Sequence, residues 1–212
     1  WWSEHRIRQA TGLDADGLLG LMIVGAWIGA RLWYVAGSEA IGAQLLNYRA
    51  LEFAWPGACI GALAMWALTP YRKTIPFESL LSSLALPTLV AQAGGAVGMF
   101  VAGIGMGVPW SGMWAVELAG TFRHPVQLYE AGVAVGGALL CVVMQRRMYA
   151  FGSVVVLASI AANWLLVEGF RAQAVTMPGG IHVAQIIGLV VLVIVCEYAI
   201  HMSRTYPRTR TP

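Results

Sequence analysis

The dominant pattern along the chain is a series of long apolar stretches separated by short polar segments. Backbone N–H and C=O groups cannot stay unpaired in hydrocarbon, so apolar stretches of about 20 residues predict transmembrane helices. The six predicted spans are Leu18–Ala36, Trp55–Leu68, Leu80–Val108, Val126–Met144, Phe151–Phe170 and His182–Met202. The pattern therefore predicts an all-α, polytopic transmembrane helix bundle in which residues 1–212 form a single transmembrane domain.

Two of these spans depart from the usual length. Trp55–Leu68 is short, whereas Leu80–Val108 is long and contains Pro87 together with several glycines. Proline removes a backbone donor and clashes with the preceding turn of a helix. We therefore expect the third span to be kinked or broken, and a broken helix could line a cavity as in transporters.

The composition agrees with a membrane protein and argues against several other classes. Hydrophobic residues make up 58% of the chain and charged residues 11%, which is too few charges for the surface of a soluble domain. The net charge of +3 comes without a basic stripe, so we expect no nucleic-acid partner. Cys59, Cys141 and Cys196 lie inside apolar stretches without metal-ligand spacing, so we predict no metal and no cofactor.

Basic residues are distributed unequally between alternate loops. One set of loops contains Arg6, Arg8, Arg72, Lys73, Arg146, Arg147, Arg204, Arg208 and Arg210. The opposite set contains Arg49, Arg123 and Arg171. The positive-inside rule places the basic-rich loops, and with them both ends of the chain, in the cytoplasm.

Few ionisable side chains lie within the predicted spans. They are Arg31, Glu130 and Glu168, and because charges at membrane depth are costly, we expect them to face the bundle interior and to be paired. Glu168 and Arg171 lie three residues apart on one helical face and can pair with each other. Arg31 could pair with Glu130 by the same logic. Two roles stay open for these pairs, namely fixing the helix register and handling a lipid.

The densest polar cluster lies at the start of the fourth span, at residues 123–130. Pro125 suits the first position of a helix, where its missing N–H costs nothing. Arg123 and His124 then lie just before the amino terminus of the helix, whose free amides and dipole favour an anion. The cluster therefore predicts a site for a lipid phosphate, with Glu130 about two turns deeper.

The same cluster carries a family resemblance. Its sequence, Arg-His-Pro-Val-Gln-Leu-Tyr-Glu, resembles the RHPxQLYE segment of bacterial prolipoprotein diacylglyceryl transferases. Weaker matches lie at Gly29–Val35, at Val167–Arg171 and at Gln185. The family has seven spans and an outward amino terminus, so the resemblance implies that a first span precedes Trp1. It also implies a multi-pass protein of the bacterial inner membrane with a cytoplasmic carboxyl terminus.

The resemblance also implies a chemistry and a set of site residues. The family transfers a diacylglyceryl group from phosphatidylglycerol to the thiol of a lipobox cysteine, which needs a base and cations that stabilise the departing glycerol phosphate. The implied residues are Arg31, Arg123 and Arg171 for the lipid phosphate, Gln127, Tyr129 and Gln185 in support, and His124, Glu130 or Glu168 as the base of an active enzyme.

Several polar positions of the family pattern are apolar in this chain. Pro56 stands where the HGGxxG motif has its histidine, and Trp164 stands where an arginine is expected. The polar residues of the GRxGNFxNGE signature are replaced by Ala96, Met99, Ala102 and Ile104. Losing a donor from a low-dielectric site costs on the order of 10²-fold or more in rate.

Three functions are therefore open. The losses favour a catalytically degenerate homologue that acts as a lipid-binding or structural subunit of a bacterial membrane protein complex. Its partners would be a phosphatidylglycerol-like phospholipid and other subunits of that complex. The alternatives are an active transferase with an altered site and a small-solute transporter, so the sequence leaves open whether the chain is an enzyme.

Overall fold

The computed structural model describes residues 3, 5, 7, 8, 16–36, 55–145, 151–172 and 176–205. Several loop residues used in the orientation argument lie outside this part of the chain: Arg6, Arg49, Arg146, Arg147, Arg208 and Arg210. Contacts divide the chain into two compact units, Trp1–Leu80 and Leu81–Pro212.

The longer helices of the described residues follow the predicted spans closely. They are α1 Asp16–Ala36, α2 Trp55–Leu68, α3 Phe77–Val101, α4 Val126–Gln145, α5 Phe151–Ala162 and α6 Val183–Thr205. A π-helical turn, Asn163–Val167, and a 3₁₀ turn, Glu168–Phe170, continue α5. Five of the resulting helices are long and apolar enough to cross a membrane, and α2 is shorter. The prediction of a polytopic transmembrane helix bundle is confirmed.

In the first unit, α1 and α2 approach each other through glycines. A methyl group at Gly29 would collide with the backbone of Gly57 and Gly61, and one at Gly25 would collide with the Gly61 carbonyl. The GxxxG spacing on both helices therefore lets the two backbones come into direct contact. An apolar groove of about 450 Å³ runs along this pair.

A short turn then leads from α2 into α3. The 3₁₀ helix Pro70–Lys73 begins at proline, and the indole N–H of Trp66 donates to the Ile75 carbonyl at 3.2 Å. The Trp66 and Phe77 rings lie 5.3 Å apart. These contacts hold the start of α3 against the end of α2.

The third span ends earlier than the sequence predicts. Helix α3 runs without a break through Pro87, and it ends at Val101 and not at Val108. Gly103 and Gly105 adopt positive φ angles of 67° and 72°, which side chains rarely tolerate and which end the helix. The last seven residues of the predicted span, 102–108, are therefore a loop, and the break expected within the helix falls at its carboxyl end.

The core of the second unit lies between α3, α4 and α5. Its buried apolar side chains are Ala85, Leu89, Cys141, Val155 and Val156. The backbone N–H of Ser153 donates to Ser82 Oγ at 3.2 Å, which satisfies a free donor in the first turn of α5. On the other side of α5, Gly188 of α6 lies directly against the backbone of Ala161 and Leu165.

Between α3 and α4 the chain forms a β-hairpin that the sequence did not predict. Strands β1 Val116–Leu118 and β2 Thr121–Arg123 pair in antiparallel fashion. Ala119 and Gly120 form the turn with φ angles of 52° and 73°. Such two-residue turns usually contain Asn-Gly or Asp-Gly, and that signal is missing here.

Candidate functional site

An extended segment, Met106–Trp110, organises one end of the second unit. In its first part, Val108 N–H donates to the Phe170 carbonyl at 2.8 Å and Ala172 N–H donates to the Met106 carbonyl at 3.1 Å. In its second part, His124 N–H donates to the Val108 carbonyl at 3.2 Å and Trp110 N–H donates to the Phe122 carbonyl at 2.9 Å. We call Met106–Trp110 the bridging segment, because it connects the start of α4 with the chain that follows α5.

Gly107 is the residue that permits this close approach. It forms isolated β-bridge contacts with Arg171, and Pro109 does so with Arg123. A methyl group at Gly107 would collide with the carbonyl oxygen and Cβ of His124 and with the side chain of Val126. The bridging segment thereby pairs with the backbones of two predicted site arginines, Arg123 and Arg171.

Arg171 is the centre of an ion-pair network. Its Nε donates to Glu168 Oε2 at 3.0 Å, and its terminal NH2 group pairs with Glu130 Oε1. The three side chains are 15–22% exposed, so the network is largely removed from water. The predicted pair of Glu168 and Arg171 is confirmed.

Glu130 thus finds its partner on the chain that follows α5. Arg31, the partner suggested by the sequence, belongs to the first unit, where its guanidinium lies 5.7 Å from the centre of the Tyr34 ring. The sequence correctly predicted that Glu130 is part of an ion pair, but its partner is Arg171 and not Arg31.

Arg123 has a different environment. Its terminal NH1 group donates to the Gly107 carbonyl at 3.1 Å, and its Nε is buried without a hydrogen-bond partner among the described residues. No described carboxylate lies within ion-pair distance of it. Arg123 therefore keeps an uncompensated positive charge in a half-buried position.

Aromatic rings surround His124 on several sides. Its ring stacks on Trp110 with a centroid separation of 4.2 Å and an interplanar angle of 9°. Phe170 lies 4.8 Å away, and Nδ1 of His124 is 3.1 Å from the hydroxyl of Tyr129. The same hydroxyl accepts a hydrogen bond from the indole N–H of Trp114 at 2.9 Å. The imidazole is consequently held in one plane, with one of its nitrogens engaged.

The predicted supporting glutamines both hold backbone turns. Gln127 is fully buried, and its amide donates to the Ile104 carbonyl at 2.6 Å, within the glycine turn that ends α3. Its Oε1 has no partner among the described residues. Gln185 donates to the Leu165 carbonyl at 3.2 Å, an acceptor that the π-helical turn leaves available.

His182 makes a further link to the end of α5. Its Nδ1 lies 2.8 Å from the Glu168 carbonyl oxygen. A carbonyl only accepts hydrogen bonds, so Nδ1 carries the proton. Gln185 and His182 together hold the backbone beside Glu168, which positions that carboxylate for Arg171.

The positions that depart from the family signature are packed in apolar fashion. Ala96 is buried in α3, Met99 is half-buried, and Ile104 is 59% exposed in the loop that follows. Trp164 lies in the π-helical turn, and its Cβ packs against Gly188 of α6. The two arginines that the family pattern expects, one in the signature and one before Glu168, are thus replaced by side chains that contribute packing and no positive charge.

The sequence analysis missed several residues that shape the site. Trp110 and Trp114 were not singled out, although tryptophans in a loop between two spans are typical of the membrane interface. Gly107 was taken for part of a helix. A change of pattern at Gly103–Val108, where glycines alternate with other residues, is the signal that marks the end of the helix.

Comparison with known proteins agrees with the motifs. The chain matches the family described as prolipoprotein diacylglyceryl transferase over residues 1–201. It is 26% identical to the phosphatidylglycerol–prolipoprotein diacylglyceryl transferase of Clostridioides difficile, covering 86% of this chain and 77% of that protein. It is 26% identical to the Bacillus cereus transferase over 92% of this chain and 80% of the relative, and 29% identical to the Wolbachia pipientis transferase over 70% and 60%. The chain therefore belongs to the prolipoprotein diacylglyceryl transferase family.

Proposed function

We propose that this chain binds an anionic phospholipid of the phosphatidylglycerol type beside Arg123 and no longer performs ordinary diacylglyceryl transfer. It would serve as a lipid-binding or structural subunit of a bacterial membrane protein complex. The observation that carries the proposal is the contrast between two arginines. Arg171 is neutralised by two carboxylates, whereas Arg123 has no carboxylate partner among the described residues.

An uncompensated, half-buried guanidinium favours an anion. A phosphodiester supplies acceptor oxygens for a charge-assisted hydrogen bond, which is roughly twice as strong as a neutral one. The amino terminus of α4 begins directly after Pro125 and adds the positive end of its dipole. Within a membrane bundle, the phosphate group most often available to such a site is that of a lipid.

The same geometry argues against efficient transfer. Transfer to a thiol requires a free base, but Glu130 and Glu168 are both bound to Arg171. Two arginines of the family pattern are replaced by Ala96 and Trp164. Loss of two cations that would stabilise a departing phosphate removes several kcal/mol, on the order of 10⁴-fold in rate.

Lipid binding is tested with the purified chain in nanodiscs. We expect native mass spectrometry to show retained phosphatidylglycerol in preference to phosphatidylcholine. Arg123→Gln should weaken this retention by about tenfold, since a hydrogen bond to a charged group contributes about 1.5–3 kcal/mol. Arg72→Gln, which removes an exposed charge in the first unit, is the matched control. Equal retention by both variants would exclude the Arg123 site.

Loss of transfer is tested by reconstitution with phosphatidylglycerol and a lipobox peptide. We expect no lipidated peptide, with the Clostridioides difficile relative as the positive control. Copurification from native membranes tests the subunit role, because stable association with other proteins is expected. A solitary protein with clear turnover contradicts this part of the proposal.

An active transferase with an altered site is the second candidate. Its support is the ion-pair network of Glu130, Glu168 and Arg171, together with the family match along nearly the whole chain. On this alternative one of the two carboxylates would be released from Arg171 when substrate binds. Rescue of a strain depleted of its own transferase would favour it.

The family match also supports a bacterial inner-membrane location. The distribution of basic residues supports a cytoplasmic carboxyl terminus, which puts Arg123 and the bridging segment on the outer side. On that side the site would face the outer leaflet of the membrane.

A further inference from the structure

We infer that Trp114 and Tyr129 hold His124 in the tautomer whose proton is on Nε2, so that His124 donates a hydrogen bond to a phosphodiester oxygen and does not act as a base. The identity of the ligand rests on the proposed function. The tautomer rests on the hydrogen-bond contacts of Tyr129 and on the acid–base chemistry of phenol and imidazole, and it requires no ligand.

The hydrogen-bond chain begins at Trp114. An indole N–H can only donate, so the 2.9 Å contact makes the Tyr129 oxygen an acceptor. The hydroxyl keeps one proton of its own, and its other hydrogen-bond partner among the residues that the structure describes is His124 Nδ1 at 3.1 Å. Two assignments are therefore open, in which either Tyr129 or His124 donates across this contact.

The chemistry of the two groups favours Tyr129 as the donor. A phenol is a stronger acid than a neutral imidazole, and an imidazole nitrogen is a stronger base than a phenol oxygen. The hydrogen bond from Trp114 polarises the phenol further and strengthens its donation. Nδ1 is then the acceptor, and a neutral imidazole carries its single proton on Nε2.

The aromatic stack turns this tautomer into a directed donor. Trp110 is nearly parallel to the imidazole at 4.2 Å, and the His124 backbone is fixed by its bond to the bridging segment. The ring plane and the direction of Nε2 are thereby set before any ligand arrives. Trp114 and Tyr129 act as positioning residues, since they influence the ligand only through His124.

The tautomer is measured by ¹⁵N NMR of the full chain labelled at histidine, in detergent without added lipid. The signals of His124 are assigned as those that disappear in His124→Gln. We expect the unprotonated nitrogen to be Nδ1 in the unchanged chain, and we expect this preference to be lost in Tyr129→Phe. A proton on Nδ1 in the unchanged chain would overturn the inference.

The role of His124 as a hydrogen-bond donor is measured with two variants, both of which lack the imidazole ring. The amide of His124→Gln places an N–H near the position of Nε2, whereas that of His124→Asn lies near Nδ1. We expect His124→Gln to retain phosphatidylglycerol nearly as the unchanged chain does, and His124→Asn to retain it on the order of fivefold less, the effect of one hydrogen bond. The reverse order would overturn the inference.

Vesicle composition separates the two proposals. Phosphatidylglycerol should shift the Nε2 signal, and diacylglycerol, which lacks phosphate, should not. A proton on Nε2 combined with no lipid retention by the unchanged chain would overturn the proposed function and leave the tautomer established. Lipid retention with the proton on Nδ1 would overturn only the inference.

Discussion

At the scale of single residues, the site depends on how each charge is compensated. Arg171 binds two carboxylates from different parts of the second unit, Glu130 in α4 and Glu168 after α5. Without the guanidinium, the two acids would face each other in a region of low dielectric constant. The three side chains therefore act together, and removing the Arg171 cation should cost more stability than breaking either ion pair alone.

Replacing Arg171 with glutamine should destabilise the chain. We expect the free energy of unfolding to fall by ~2 kcal/mol, because two acids would stay partly buried without a partner. This value lies between those for exposed and fully buried ion pairs. Unfolding by SDS titration measures this loss. Adding Glu130→Gln and Glu168→Gln to the same chain should restore more than half of it, since neutral amides do not repel each other. Equal stability of the single variant and the unchanged chain would show that the network contributes nothing.

Replacing Gly107 with alanine should disrupt the bridging segment. The added methyl group meets the His124 backbone and Val126, neither of which can move freely, so we expect a loss of about 1–3 kcal/mol. Thermal unfolding in detergent is the measurement. Gly132→Ala is the matched control, because a methyl there meets nothing within 4 Å and should stabilise α4 by ~0.5–1 kcal/mol. Equal changes of stability in the two variants would contradict the close packing of Gly107 against His124 and Val126 on which the site depends.

At the scale of elements, contact between helices is set by small residues. The GxxxG faces of α1 and α2 bring their backbones together, and Gly188 does the same for α6 against α5. The glycines of α3 and α4 with this spacing, such as Gly94 and Gly132, have open space where a side chain would be. The GxxxG spacing therefore coincides with close helix contact in the first unit, whereas in α3 and α4 of the second unit these glycines face open space.

Replacing Gly29 with alanine should separate α1 from α2. Backbone atoms of Gly57 and Gly61 would meet the new methyl group, and backbone cannot yield as a side chain does. We expect a loss of about 1–3 kcal/mol in SDS titration. Gly20→Ala in the same helix, where nothing lies within 4 Å of the methyl, should cause no loss. A stable Gly29→Ala chain would contradict the direct contact of the two helices.

At the scale of the whole molecule, the spans determine which ends lie on the same side of the membrane. Helix α3 is continuous from Phe77 to Val101, so the turn before it and the loop after it lie on opposite sides. The basic residues Arg72 and Lys73 precede α3, and the bridging segment follows it. The positive-inside rule then predicts that the site lies on the outer side.

Cysteine labelling tests this orientation. In a chain with Cys59, Cys141 and Cys196 replaced by alanine, Met113→Cys should react with a membrane-impermeant maleimide in intact spheroplasts. Lys73→Cys should react only after permeabilisation, because it is expected in the cytoplasm. Both positions are exposed, so accessibility within the protein does not limit either reaction. The opposite pattern would place the site on the cytoplasmic side.

The sequence by itself determined the spans, the pairing of Glu168 with Arg171 and the family. Each of these depends on local information: hydrophobic length, a three-residue spacing on one helical face, and a contiguous motif at residues 123–130. The end of the third span was wrong by seven residues because apolar character persists through Gly103–Val108 after the helical backbone has ended. Hydropathy does not distinguish a glycine-rich loop from a helix.

Only the tertiary structure decided how the charges of the site residues are compensated. The partner of Glu130 lies 41 positions away in the chain, and the hydrogen bond from Trp114 to Tyr129 spans 15 positions. No periodicity encodes such contacts, because they arise when the bridging segment joins two distant parts of the backbone. For the same reason the family resemblance implied one phosphate-binding role for both Arg123 and Arg171, whereas the fold neutralises Arg171 and leaves Arg123 without a carboxylate partner among the described residues.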